Sequence, residues 1–151
     1  MTARRIAAIY RDEHVENPKI LTTPEEVDEI INILLESDPG ETSVDMYSLD
    51  RPSLASGFRT HKLVAGVRSD RNSGVLSSMD GDCDEPNVVS IGNRELGGGP
   101  VYYSLLGHGE DFPLFAEISI EKVREAVKEF VSSGGKRPLC VEWDLAGYHD
   151  V

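Results

Sequence analysis

Two amphipathic helices, set apart by a long stretch with no helical period, constrain this chain more than any other feature. The first lies in "TTPEEVDEIINILLES" (22–37), where Val27, Ile30, Ile31 and Leu34 recur on one helical face. Thr23 is an N-cap residue type, Pro24 suits the first helical position, and Glu26 stands where a capping box needs its carboxylate. "DPG" stops the run. The second is "IEKVREAVKEFVSS" (120–133), capped by Ser119, with Val123, Ala126, Val127 and Phe130 on one face. Ile118 is placed to staple back onto Val123, and Gly134 and Gly135 end the helix.

What lies around these helices reads as strand. "RRIAAIYR" (4–11) opens the chain as a strand and "PKILTT" (18–23) gives a short extended piece. "TSVDMYSL" (42–49), "RTHKLVAGVR" (59–68), "SGVLSSM" (73–79) and "NVVSIG" (87–92) follow, separated by Pro, Gly, Asn and Asp. Residues 72–74 form a hairpin turn in this reading, and "ELGGGP" (95–100) a longer, mobile one. "VYYSLLG" (101–107) adds a strand with Val101, Tyr103 and Leu105 on one face. "RPLCVEW" (137–143) closes the chain as a strand, with Leu139, Val141 and Trp143 facing one way and Cys140 and Glu142 the other. A meander of strands with two separated helices argues for an α+β fold, a mostly antiparallel sheet with both helices packed on one face. At 151 residues, with no repeat or low-complexity block, the expectation is one domain over 1–151.

Charge narrows the function classes. The chain carries 27 acidic and 15 basic residues, a net of -12, and 12 of the acids fall in the first fifty residues. Such a surface repels phosphate backbones and anionic lipid, so neither nucleic acid nor membrane is an expected partner. No apolar run approaches the roughly eighteen residues of a membrane helix, and "IAAIY" is too short for a signal-peptide core. Two cysteines, Cys83 and Cys140, make no disulfide framework, and the default compartment is the cytoplasm.

The motifs that carry chemistry are few. "SSMDGDCDEPN" (77–87) places Asp80, Asp82 and Asp84 at the alternating spacing of a calcium loop. Yet Glu85 stands where that loop needs glycine, and Ile91 where it needs a bidentate glutamate. An irregular cation site on Asp80, Asp82 and Asp84 remains as one alternative. His14, His61, His108 and His149 are scattered, neither cysteine sits in a C-x-x-C pair, and no cofactor or metal is expected. "LLGHGEDFP" (105–113) offers His108, Glu110 and Asp111, a second alternative as a small enzyme, though no nucleophile or phosphate loop accompanies them. Its plainer reading is a turn with an acidic rim. Of the adjacent Tyr102 and Tyr103, one faces the core and the other faces out, where tyrosine often anchors an interface.

The order of motifs in the last third goes further. The run from Gly99 to Trp143 has a paired-tyrosine strand, an acidic turn ending in "FP", the helix "VREAVKEF", a glycine pair, "RP" and a final "CVEW". It resembles the first-numbered Imm family of immunity proteins from bacterial polymorphic toxin systems, and "LTTPEEVDEIINILLES" (21–37) is similar to that family's first helix. The resemblance is strongest there and weakest between Asp38 and Gly98. It implies a non-enzymatic inhibitor that binds a cognate toxin domain, a nucleic-acid deaminase above all, and protects the producing cell. The shared residues Phe130, Gly135, Pro138 and Trp143 look structural. Candidate toxin contacts are therefore the acids at loop tips, Asp80, Asp82, Asp84 and Glu85 together with Glu110 and Asp111, and Tyr102 as an anchor. Partner specificity is expected in the acidic loop, because it lies where the resemblance is weakest.

Overall fold

A computed structural model describes residues 5–51 and 59–145; Arg4 of the opening strand segment and His149 lie outside them. The main sheet has seven strands: β1 (Ile6–Ile9), β2 (Lys19–Leu21), β3 (Ser43–Ser48), β4 (His61–Arg68), β5 (Ser73–Asp80), β6 (Asn87–Ile91) and β9 (Glu142–Leu145). Their order is β2-β1-β3-β4-β5-β6-β9, and every pairing is antiparallel. Helices α1 (Glu25–Leu35) and α2 (Ile120–Ser132) lie together on one face. Alternation explains the choice of face. Leu63, Ala65 and Val67 of β4 and Val44 and Met46 of β3 bury against Val27, Ile31, Val123, Val127 and Phe130, all in one apolar cluster. The helices are also sewn to each other, since Arg124 donates to Asp28 Oδ1 at 2.9 Å and to Asn32 Oδ1 at 2.6 Å, and Lys128 meets Asp28 Oδ2 at 2.8 Å. No helix among the described residues is long and apolar enough to cross a membrane.

The other face of the sheet carries a second, smaller layer. Strands β7 (Val101–Leu105) and β8 (His108–Phe112) form an antiparallel ribbon that packs, with the 3-10 turn Leu114–Ala116, over Val75 and Val89. Tyr103 is its centre. The ring lies so close to Gly66 of β4 that a Cβ there would stand 2.8 Å from it, so glycine is what admits the ribbon. The strand β8 corrects the reading of "GHGEDF" as a turn. The turn is Leu106–Gly107, both at positive φ, the geometry of a two-residue hairpin, and the polar residues after it pair with β7. Their polarity hid the strand because four of its five residues are exposed.

Two further expectations are corrected. The Thr23 hydroxyl does not cap α1; it joins Thr22 and Thr23 N–H groups in donating to Glu26 Oε1, so only the carboxylate half of the capping box forms. The closing strand starts at Glu142, not Arg137, and residues 137–141 are irregular. Leu139 is consequently 89% exposed rather than inward-facing. Cys140 and Val141 pack on the core edge together with Trp143. Ser119 caps α2 as read, accepting from Lys122 N–H at 3.1 Å, and Phe130, Gly135 and Pro138 are buried.

Candidate functional site

The seven candidate contact residues fall into two groups at opposite ends of the sheet. β5 runs from Ser73 beside the ribbon to Asp80 at the acidic loop, about 23 Å at the usual strand rise.

At the far end, β5 delivers Asp80 next to His61 of β4, its cross-strand partner. Both face the helical layer, and both are 5% exposed. Asp80 Oδ1 lies 3.4 Å from His61 Nε2 and accepts the Asp82 N–H at 2.9 Å. Its Oδ2 accepts the Arg137 N–H at 3.3 Å. Asp82 folds back over the pair, with Oδ2 2.9 Å from the same imidazole nitrogen and 3.5 Å from Arg51. The His61 hydrogen bond holds the Asp82 carboxyl below its ordinary range. Arg137 completes the knot, donating to Ser78 Oγ and to the Pro86 carbonyl, each at 2.9 Å. Asp80 thus fixes the loop from inside, while Asp84 and Glu85 project into solvent.

The cation alternative changes accordingly. Among the described residues, the group whose ligand atoms lie within 4.8 Å of one another is His61, Asp80 and Asp82, without Asp84. Sequence spacing could not show this, since His61 comes from the neighbouring strand. The Arg51 side chain, the His61 imidazole and the backbone N–H groups of Asp82 and Arg137 already serve those carboxylates, so both have protein partners without a cation. Cys83 and Cys140 are free thiols, and burial pushes both upward.

At the near end, Tyr102 is 53% exposed on the ribbon's outer face, opposite Asp111 of β8, while Tyr103 is buried. Glu110 pairs with Tyr103 and His108 with Leu105. Side chains alternate along β8, so His108 and Glu110 point one way and Asp111 the other. All three are exposed, and the proposed catalytic trio does not converge. Beneath them runs a second network, anchored on the buried Tyr103 and reaching out to exposed Arg71 and Asp70. The Tyr103 hydroxyl donates to Glu117 Oε2 at 2.6 Å, and Arg71 grips both Glu117 oxygens at 2.7 Å. Arg68 forks onto Asp70 at 2.6 and 3.0 Å and also donates to the Tyr102 carbonyl at 3.0 Å. Burial and Glu117 push the Tyr103 hydroxyl far upward, which keeps it a donor at any ordinary pH.

A search among curated proteins gives no match for the chain. A family model described as Immunity protein Imm1 matches residues 16–145, which takes in β2, both helices, the ribbon and β9. With that match spanning most of the sequence, the chain belongs to the Imm1 family of immunity proteins.

Proposed function

We propose that this chain, acting as one immunity domain in the cytoplasm of the producing cell, neutralises a toxin that works on nucleic acid, a deaminase in the first instance. Family membership supports toxin immunity. The observation that carries the finer reading is charge: a net of -12, with Asp82, Asp84, Glu85, Glu110 and Asp111 exposed at loop and ribbon edges. An enzyme that holds nucleic acid needs a basic cleft, and carboxylates on a rigid scaffold are steered into such a cleft and pair there with Arg and Lys. Exposed pairs add little affinity individually, so the complex also needs an apolar anchor, for which Tyr102 is one candidate. The mode of action is occlusion, with no chemistry asked of His108, Glu110 or Asp111.

Co-expression with the toxic domain encoded beside this gene tests the reading. Cells carrying both proteins are expected to grow and to accumulate no deaminated bases, while cells with the toxic domain alone die. Affinity between the purified partners is expected to fall as salt rises from about 0.05 to 0.5 M. Survival no better than with toxin alone sinks the immunity reading. Protection without any deaminated bases in the unprotected cells sinks only the deaminase assignment.

A further inference from the structure

Resting on the basic-toxin reading above, we infer that Leu139 is the apolar anchor of the toxin contact, with the acidic loop and the outer flank of α2 as its charged rim. Leu139 is 89% exposed, far more than the next large apolar residue among those described, Val15 at 56%. Exposed leucines alone mean little. What sets this one apart is that the chain on both sides of it is held while the side chain is left in solvent.

The Leu139 N–H donates to Glu129 Oε2 at 2.5 Å. The preceding Pro138 is buried, and its carbonyl accepts the Trp143 indole N–H at 2.9 Å. The following Cys140 carbonyl accepts from Lys122 Nζ at 3.3 Å, and Cys140 packs on the core edge. A backbone already fixed spares the cost of ordering the loop on binding, leaving only the side chain's own rotamers to be lost, which favours a tight contact.

The surroundings supply the partner's chemistry. Arg137, two residues before Leu139, is bound to Asp80 and to the Pro86 carbonyl, which brings the acidic loop and the Leu139 loop to one place. Asp84 and Glu85 stand on one side. Glu129 and Glu125 stand on the other, close enough to Cys140 to add to the burial that pushes its thiol up to about 11. The cations nearby are Arg137, whose guanidinium is held by Ser78 and the Pro86 carbonyl, Lys122, which is paired with Glu125, and the exposed Lys136. A leucine set among carboxylates fits a basic protein surface with an apolar centre. A second copy of this chain would bring the same net of -12 and be repelled, and nucleic acid is repelled for the same reason.

The test uses the purified full chain and the toxic domain encoded beside it, with affinity read by calorimetry, association and dissociation rates by surface plasmon resonance, and folding by melting temperature. Leu139→Ala is expected to weaken binding tenfold or more, chiefly through faster dissociation, and Leu139→Asp a hundredfold or more, both melting as wild type does. Paired Asp84→Lys and Glu85→Lys substitutions are expected to slow association and flatten the salt dependence. Val15→Asp, remote from the proposed rim, serves as the control and is expected to bind like wild type. Wild-type affinity in Leu139→Asp overturns the inference, and does so in favour of the ribbon if Tyr102→Ala weakens the complex instead. Failure of the wild-type chain to bind at all overturns the function reading and this inference with it, an outcome distinct from loss in the variants alone.

Discussion

At the Asp80 end of the sheet, a buried carboxylate gathers an imidazole from the next strand and backbone N–H groups from two loops. At the Arg68 end, Glu117 gathers both arms of Arg71 and the Tyr103 hydroxyl. The two devices are alike, one acidic side chain with both its oxygens in use, and they hold different things. The Glu117 cluster is a seam between layers, with the ribbon closed over it and an aromatic ring filling the gap above Gly66. The Asp80 cluster ties two loops whose outward side chains, Asp84, Glu85 and Leu139, remain in solvent. One end is committed to building the fold, and the other to presenting a fixed surface. Substitutions should therefore cost stability at the first end, while at the second only the inward Asp80 should cost stability and the outward residues should cost partner binding.

The largest effect is expected at the seam. Tyr103→Ala removes a ring that is 1% exposed, together with the hydroxyl that serves Glu117. Large aromatic truncations in a core cost about 3–5 kcal/mol. Tyr103→Phe keeps the ring and loses only the hydrogen bond to a charged acceptor, for about 1.5–3 kcal/mol. Urea denaturation of the two variants separates packing from the network. If Tyr103→Ala costs no more than Tyr103→Phe, the ring is not what holds the ribbon down.

At the other end, the contrast lies between a residue and its near neighbour. Asp80→Ala leaves the His61 imidazole and the Arg137 N–H facing a gap, at a cost of about 2 kcal/mol. Asp84→Asn changes an exposed side chain and is expected to stay within about 0.5 kcal/mol of wild type. Equal losses at both positions would mean that the loop is held by its acids collectively and not through Asp80.

That contrast also marks where the sequence stops being legible. Both helices, the strands of the main sheet and the inward Tyr103 follow from local period and capping, which are written in consecutive residues. The paired-tyrosine strand and the "VREAVKEF" helix carry enough order to point to the Imm family resemblance, and the match over 16–145 bears it out. What is not local was missed. Asp80 reads as a loop-tip acid because its partners, His61 and Arg137, lie 19 and 57 residues away in the chain. β8 reads as a turn because an exposed strand in a two-stranded ribbon has no buried alternation to show. Leu139 reads as an inward strand residue because "RPLCVEW" alternates like one, while the glycine-ended helix before it leaves the chain out of register with β6 until Glu142. Only the fold supplies the distinction between an acid that holds a loop and acids left in solvent.

A smaller effect than that of Asp80 is expected from Asp45, and it carries a sign that tests the logic of both clusters. Asp45 lies on β3, with Oδ2 3.3 Å from Lys62 Nζ and Oδ1 buried without a hydrogen-bond partner. Burial outweighs Lys62 and raises its pKa above the ordinary 3.8. Glu117 is also pushed upward by burial, but the Arg71 fork and the Tyr103 hydroxyl outweigh it and leave its pKa below 4.5. The linkage signs are opposite. Glu117 stabilises the fold fully above pH 4.5, and that contribution is lost as pH falls through its depressed folded value. Asp45 costs nothing below pH 3.8, and the cost grows as pH rises through its raised folded value. Asp45→Asn is therefore expected to stabilise the protein by about 0.5–1 kcal/mol at neutral pH, with the gain gone near pH 3. Glu117→Gln should do the reverse, destabilising at neutral pH by an amount that shrinks in acid. Urea midpoints at the two pH values decide it. A loss of stability in Asp45→Asn at neutral pH would mean that the Lys62 pair outweighs burial, and that a carboxylate in this sheet can be stabilising without the full set of donors that Asp80 and Glu117 collect.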